Sequence, residues 1–523
     1  MSSSTIAYTG LAGVALYFVF SWWKTRIPRG LKRPPGPPGH LLIGNLLDLP
    51  RSKEWLTFDR WANEYGGDLF YLSLPGASIL FVNSYELAKE LFDKRGSIYS
   101  DRYQSTVLNE FLRLDRTVIL QQYGEKWRRD RTYFHRYFGQ GAVGDYHEVQ
   151  IRVLLKRLYQ SPEDYRTHLR CILGASVLEV TYGIEAISEE DPLLILSETT
   201  TQRITEAGIP GTYLVDIFPI LKYIPSWFPG AKFSRELNQV GKQVTEMLNK
   251  PVEIAKASLK NGDARSSVVS ALIENFENDL HRPSDYEDII KQVTGVAYLT
   301  AIDTEKTADF WKTNGLLLHF VYTMLLHPEV QKRAQEELDE VVGSGALPSF
   351  EDFGSLKYTR AVFQELLRWN AVTPSGVPHI LKVDDVVNGS LLRSKSVYGP
   401  DADKFNPKRF LNEGTPSPDF AFGYGRRECP GRYFAENGVF IAMINILHIF
   451  NILPFEGENG PQLPPENHFE SGLVLILLFK TLIVADAFVH RLEIDTEKDL
   501  GTILHLKGFG CLPVHSLLRM EEC

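Results

Sequence analysis

Ten residues, Phe422-Gly-Tyr-Gly-Arg-Arg-Glu-Cys-Pro-Gly431, constrain this chain more than any other stretch. They place Cys429 in a glycine- and arginine-rich loop directly before an apolar run, Gly431–Phe450, whose period is helical. Three features favour a thiolate there. Arg426, Arg427 and Arg432 lower the cost of negative charge, the coming helix offers the positive end of its dipole, and the glycines let backbone N–H groups approach the sulfur. Gly423, Gly425 and Gly431 also leave room for a flat group to lie over the loop. A single soft ligand of this kind suits haem iron, whereas zinc needs several ligands that this neighbourhood does not offer.

The loop resembles the haem-binding signature of the cytochromes P-450, Phe-x-x-Gly-x-Arg-x-Cys-x-Gly, and all five fixed positions match. The resemblance implies that Cys429 is the axial thiolate and metal ligand of haem b, and that Arg427 pairs with a haem propionate. Further segments follow in the order the family requires. Glu365-Leu-Leu-Arg368 puts an acid and a base at i and i+3 on one helix face. In the family this pair joins the arginine of a later segment, here Arg409 of Phe405-Asn-Pro-Lys-Arg-Phe410, in a buried structural lock behind the haem. Trp127-Arg-Arg-Asp-Arg131 places an indole N–H and a guanidinium at i and i+4, able to face one anion. It resembles the family helix that grips haem propionates, and His379, closing Pro374-Ser-Gly-Val-Pro-His379, falls where a further propionate contact is usual. Asp93-Lys-Arg-Gly-Ser-Ile-Tyr-Ser-Asp-Arg102 resembles its counterpart in fungal secondary-metabolism members of the family.

Splitting dioxygen requires protons, and an acid beside an alcohol can order a water and relay them. Asp303 and Thr304, in Thr300-Ala-Ile-Asp-Thr-Glu305, supply that catalytic pair. The family pattern has glycine and an alcohol where this chain has Ala301 and Glu305, so a tighter helix groove is expected.

The amino end reads as a membrane anchor. Ile6 to Trp23 carry no charge, and eighteen residues at about 1.5 Å each reach roughly 27 Å, near the hydrocarbon thickness of a bilayer. Lys24, Arg26, Arg29, Lys32 and Arg33 follow with no acid among them, which leaves the rest of the chain on the cytosolic side. Four prolines within Pro34–Gly39 then form a stiff connector. The expected organisation is an anchor over 1–23, a basic and proline-rich linker over 24–39, a haem-thiolate catalytic domain over 40–474 and an atypical tail over 475–523.

Helical periodicity runs through Glu86–Arg95, Lys126–Phe138, His147–Tyr159, Ser234–Asn249, Tyr286–Leu326, Pro328–Val342, Tyr358–Asn370 and Gly431–Phe450. Strand-like runs are short, as at Leu69–Leu72 and Ser78–Val82. The fold class is therefore mainly α with a small β-sheet region, and the resemblance makes it a cytochrome P-450 fold behind one N-terminal transmembrane helix. Between Gly389 and Tyr398 about fourteen residues of the family's usual hairpin and helical turn are missing. Beyond Val474 the tail is unfamiliar.

Composition sets the remaining bounds. Fifty-six Lys and Arg against 65 Asp and Glu give a net charge of −9, without the basic excess of a nucleic-acid binder. The four cysteines are irregularly spaced and suggest a reducing compartment rather than a disulfide framework. Neither G-x-G-x-x-G after an early strand nor G-x-x-x-x-G-K-[ST] occurs, so reducing power must come from elsewhere. The resemblance names the source as NADPH acting through a separate flavin reductase. A basic docking surface is expected on the cysteine side, with Arg131, Arg426 and Arg432 as candidates.

The expected protein is a single-pass monooxygenase of the endoplasmic reticulum membrane, in contact with lipid, with its catalytic domain cytosolic. It would use O2 to oxidise an apolar small molecule such as a terpenoid, polyketide or indole. The pocket would be lined from around Tyr103–Gln122, Glu206–Phe228, Val293–Thr304, Pro374–Pro378 and Ser471–Val474. The alternatives are a degenerate haem-binding relative without monooxygenase activity, and a haem-thiolate isomerase or dehydratase.

Overall fold

The computed structural model describes residues 34–462 and 481–485, less 42, 51–53, 66, 75–76, 140–143, 187–189, 209–211, 302–312, 344, 370–375, 384, 386–397, 399–400, 403 and 458–459. The expected anchor, the Asp303–Thr304 pair, the shortened segment after Gly389 and nearly all of the tail lie outside the described residues. Among the described residues, no helix is long and apolar enough to cross a membrane.

Helices carry the architecture and sort into two main apolar clusters. One is built from Gly144–Gln160, the first part of Tyr165–Tyr182, Thr313–Leu326, Pro328–Val341, Lys357–Trp369 and Arg432–Ile449. The other joins Glu125–Phe138, the second part of Tyr165–Tyr182, Pro192–Gly208, Lys232–Asn261, Val268–Glu277 and Tyr286–Ala301. The helix following Cys429 is the innermost of the first cluster, with every residue from Gly438 to Ile449 buried. Its forward end reaches the second cluster through Phe434. The cysteine loop therefore sits where the two clusters meet. Each fully buried Leu or Phe is worth about 1.5–3 kcal/mol, so the loop is mounted on the best-anchored helix of its cluster.

The sheets are small. β1 (Leu69–Leu74) and β2 (Ala77–Val82) pair antiparallel and pack Phe70 and Leu72 under the helix Glu54–Tyr65. β5 (Phe450–Gly457) lies between β6 (Gly460–Gln462) and β7 (Thr481–Ala485). The pair that matters most for the site is the shortest. β3 (Asp101–Arg102) and β4 (His379–Ile380) pair antiparallel, with Asp101 opposite Ile380 and Arg102 opposite His379.

Several expected boundaries shift. The helix expected over Ser234–Asn249 runs from Lys232 to Asn261 and carries Pro251 inside it. Proline there removes one bond to the preceding turn, yet buried Val252 and Ala255 continue the apolar stripe and hold the helix together. Tyr165–Tyr182, Pro192–Gly208 and Val268–Glu277 are additional helices. Glu86–Arg95 is a short helix, Tyr85–Lys89, that widens into a π-helical turn over Glu90–Lys94.

Candidate functional site

The cysteine loop is fixed from both ends. The amide of Cys429 donates to the carbonyl of Phe422 at 2.7 Å, and its carbonyl accepts from the amide of Arg432 at 3.4 Å as the helix begins. Gly425 has φ +57, and a Cβ there would lie 2.0 Å from the carbonyl oxygen of Phe92. Gly425 is therefore needed for close packing against the Glu90–Lys94 turn, rather than to clear space for a flat group as the sequence suggested. Gly423 (φ +84) and Gly431 do face open space, with nothing closer than 3.9 Å to their Cβ positions.

Around this loop the structure gathers three buried or nearly buried guanidiniums. Arg427 donates through Nε to the Ser100 carbonyl (2.7 Å), through Nη1 to Val118 (3.2 Å) and through Nη2 to Gln121 (2.6 Å), with its guanidinium 4.5 Å over the Trp127 ring. Arg131 donates to the carbonyl of Glu428, next to the cysteine. Arg102 donates to the carbonyls of Ile119 (3.2 Å), Val377 (2.6 Å) and Pro378 (3.1 Å). Beside Arg102 stands His379, whose Nδ1 is 2.7 Å from the Tyr99 carbonyl and whose ring centroid is 4.5 Å from that of Phe92.

These groups strain against one another electrostatically. Burial, then the repulsion of Arg427 and Arg131, pulls the Arg102 pKa down to about 9. Burial pulls Arg427 down to about 10, with Arg131 adding to the fall and Asp101 opposing it. Arg131 is lowered by burial, and the charges of Cys429 and Glu428 oppose that shift. His379 falls to about 3, through burial first and Arg102 second. A guanidinium carries five N–H donors, so the carbonyl contacts of Arg102, Arg131 and Arg427 leave donors over. Neutral carbonyls do not balance buried charge. This donor set fits the pair of propionates on a haem lying over the Cys429 loop.

Trp127 departs from expectation. Its indole N–H donates to the Val118 carbonyl at 3.0 Å, the same oxygen that Arg427 uses, so it braces the pocket wall. Trp127 and Arg131 do share one side of their helix, with the Arg131 guanidinium 5.8 Å over the indole. Arg102 was missed as a site residue. It closes a segment that resembles the family, but only the β3–β4 register places it opposite His379, and two-residue strands leave no alternation to read.

Glu365, Arg368 and Arg409 come together behind the loop. Arg368 meets Glu365 through Nε at 2.7 Å and Nη2 at 2.8 Å, and Arg409 Nε reaches the same carboxylate at 3.1 Å. The amide of Asn406 adds a fourth donor at 2.7 Å. All three side chains are buried. The remaining donors of the arginines go to carbonyls of Tyr398, Asp401, Ala402 and Lys404 and, from Arg409 at 3.3 Å, to the Asp401 carboxylate.

Two candidates for a basic docking surface are corrected. Arg432 is ringed by Asp419, Glu428 (2.9 Å) and Glu436 (3.0 Å), which neutralise it. Arg131 points inward, as described above. Arg426 is exposed, and its guanidinium lies 5.6 Å over the Tyr123 ring, which Arg128 also approaches at 5.6 Å.

A mainly helical fold with small sheets, a half-buried cysteine loop leading into a helix whose far half is fully buried, and a cluster of guanidiniums beside that loop are the features expected of a haem-thiolate protein. The family model described as Cytochrome P450 matches residues 34–477. Cytochrome P450 monooxygenase COX2 of Coprinopsis cinerea is 36% identical over 89% of this chain and 91% of its own. Tryptamine 4-monooxygenase of Psilocybe cyanescens is 34% identical over 83% of this chain and 89% of its own. Cytochrome P450 monooxygenase ple1 of Rhodocybe pseudopiperita is 36% identical over 84% and 87%. The chain belongs to the cytochrome P450 family. It is a P450 monooxygenase, which uses haem-thiolate iron, O2, a small-molecule substrate and electrons supplied by a reductase.

Proposed function

We propose that this protein is a membrane-anchored monooxygenase of fungal secondary metabolism that oxidises an apolar small molecule. One oxygen atom of O2 enters a substrate C–H bond, and the other leaves as water with two protons and two electrons from NADPH through a flavin reductase. The observation that carries the reading is the cluster of three guanidiniums, Arg102, Arg131 and Arg427, held beside the Cys429 loop by backbone carbonyls with the His379 ring next to them, a gathering of positive charge that an anionic cofactor relieves. When bound, haem supplies the activation of dioxygen. Cys429 Sγ would ligate its iron, the three arginines and His379 would hold its propionates, and Trp127 would support them by fixing the Val118 carbonyl.

Asp303 and Thr304 are assigned to proton delivery because an acid and an alcohol side by side can hold and pass a proton through water. The apolar character of Val107, Leu112, Val293, Val296 and Ala297, all buried in the second cluster, supports an apolar substrate. A tryptamine-oxidising relative keeps indoles among the candidates, beside terpenoids and polyketides. The uncharged Ile6–Trp23 stretch and the basic residues after it support an anchor in the endoplasmic reticulum membrane, with the catalytic domain cytosolic.

The test is the carbon monoxide difference spectrum of the reduced, full-length protein in microsomes, beside a Cys429→Ser variant. The expected result is a red-shifted, thiolate-type Soret band that the variant loses. A parent protein that takes up no haem, or shows only the unshifted band, would overturn the assignment.

A further inference from the structure

Two carbonyls of one loop aim the fork of Arg427. Its Nη1 donates to Val118 at 3.2 Å and its Nη2 to Gln121 at 2.6 Å. Residues 117–123 form neither helix nor strand, so those two oxygens need another support. The helix Glu125–Phe138 supplies it. Trp127 Nε1 donates to the Val118 carbonyl at 3.0 Å. Three residues further on, on the same helix face, the Asp130 carboxylate accepts from Gln121 Nε2 at 2.8 Å. Gln121 is pinned twice more, by its amide to the Thr117 carbonyl at 2.9 Å and by Nε2 to the Arg116 carbonyl at 2.7 Å.

Asp130 is an unusual residue to find in that place. Its side chain is wholly buried, and a buried carboxylate persists only where its oxygens are paired. Gln121 Nε2 meets one oxygen, and Arg129 Nε meets the other at 3.0 Å. The Arg129 fork then closes on the Asp285 carboxylate at 3.0 and 2.8 Å, just ahead of the helix Tyr286–Ala301. Both partners of Gln121 Nε2 can only accept, which fixes the orientation of the amide. That orientation leaves Gln121 Oε1 buried without a protein donor. The amide therefore keeps its bond to Asp130 although a second polar atom goes unmatched.

We propose that Asp130 is a positioning residue for the haem propionates, setting the direction of the Arg427 guanidinium through Gln121 as Trp127 does through Val118. The proposal rests on the reading of Arg427 as a propionate donor. Without the Asp130 carboxylate the Gln121 side chain is released, its carbonyl turns with it, and Arg427 Nη2 loses a fixed partner. The effect of Asp130 on haem thus travels through Gln121 and Arg427.

The experiment uses the haem-loaded, full-length protein. Haem loss is followed as transfer to apomyoglobin, and the propionate-bending band of the ferric protein is followed by resonance Raman scattering. Asp130→Asn can face only one of its two donors with oxygen, so one link fails. It is expected to speed haem loss about tenfold and to move the propionate band. Gln121→Met, which keeps the length of the side chain without its amide, should do the same, and it decides the matter if Asp130→Asn fails to fold. Asp285→Asn loosens the far end of the network and spares the Asp130–Gln121 bond, so it should leave the band unmoved. In an Arg427→Gln background, Asp130→Asn should add nothing further to the rate of haem loss. A fully additive effect in that background, or an unmoved band in both Asp130→Asn and Gln121→Met, would overturn the positioning role. An equal band shift from Asp285→Asn would overturn it too, because loosening of the helix would then suffice. An Arg427→Gln variant that alters neither haem loss nor the band would overturn the propionate reading, and the positioning role with it.

Discussion

His379 shows how a single side chain records the charge of its site. Its Nδ1 faces the Tyr99 carbonyl, which can only accept, so the neutral ring carries its proton there. Burial and the neighbouring Arg102 hold the pKa down to about 3 in the folded protein, whereas the unfolded chain returns it to about 6.5. Between those values the unfolded state binds a proton that the folded state refuses. Stability from this group is complete above about pH 6.5 and is lost as pH falls toward 3, at up to about 1.4 kcal/mol per pH unit. The haem-free protein should therefore unfold at lower urea as pH drops from 7 to 5, and His379→Gln should flatten that dependence. Haem loading should flatten it too, because a propionate beside the ring offsets the repulsion of Arg102. Identical pH slopes in parent and variant would remove His379 from this account.

The lock around Glu365 acts at the scale of elements, tying the helix Lys357–Trp369 to the Pro407–Leu411 turn. Glu365 serves two buried guanidiniums, and Asp401 pairs with Arg409 at 3.3 Å from a more exposed position, so Glu365→Gln strands Arg368 and leaves Arg409 with Asp401 alone. Breaking such a buried pair costs roughly 3–5 kcal/mol, and chemical denaturation should show a loss of that size. A loss of less than about 1 kcal/mol, the worth of a surface pair, would mean the lock carries no structural weight. This element was legible in the sequence because an i, i+3 acid–base pair and a short fixed motif are both local. The cysteine loop was legible for the same reason. Other features could not be read locally. Tyr165–Tyr182 is buried on almost every side and has no polar face to set a period. Pro251 reads as a stop signal, and only tertiary packing carries the helix past it. Arg102 joins the site through a two-residue strand pair whose other strand lies far along the chain. In each case a partner distant in sequence decides, and residue type and spacing do not name that partner.

At the scale of the whole molecule, the net charge of −9 conceals a basic face on the cysteine side. The helix Glu125–Phe138 buries Trp127, Asp130, Phe134 and Phe138 and turns Lys126, Arg128, His135 and Arg136 outward. Arg426 extends that face from the cysteine loop, and it shares the Tyr123 ring with Arg128. Because the helix also presents Arg131 to the Glu428 carbonyl, this basic face and the buried guanidinium cluster beside the Cys429 loop are two sides of one element. A local patch opposite in sign to the whole protein orients an acidic partner during approach. Reversing it should therefore slow electron delivery and leave the haem site intact. The double variant Arg128→Glu/Arg426→Glu is expected to need roughly tenfold more reductase for half-maximal NADPH-driven turnover. Its dependence on salt should be shallower than the parent's, since fewer attractive charges remain to be screened. Its carbon monoxide band after chemical reduction should match the parent's, which separates docking from damage to the pocket. The double variant Lys232→Glu/Lys242→Glu, which makes the same change in net charge on a different helix, serves as the control. Equal effects from the two double variants would show that net charge alone is felt, and the basic face would lose its assignment as the docking surface.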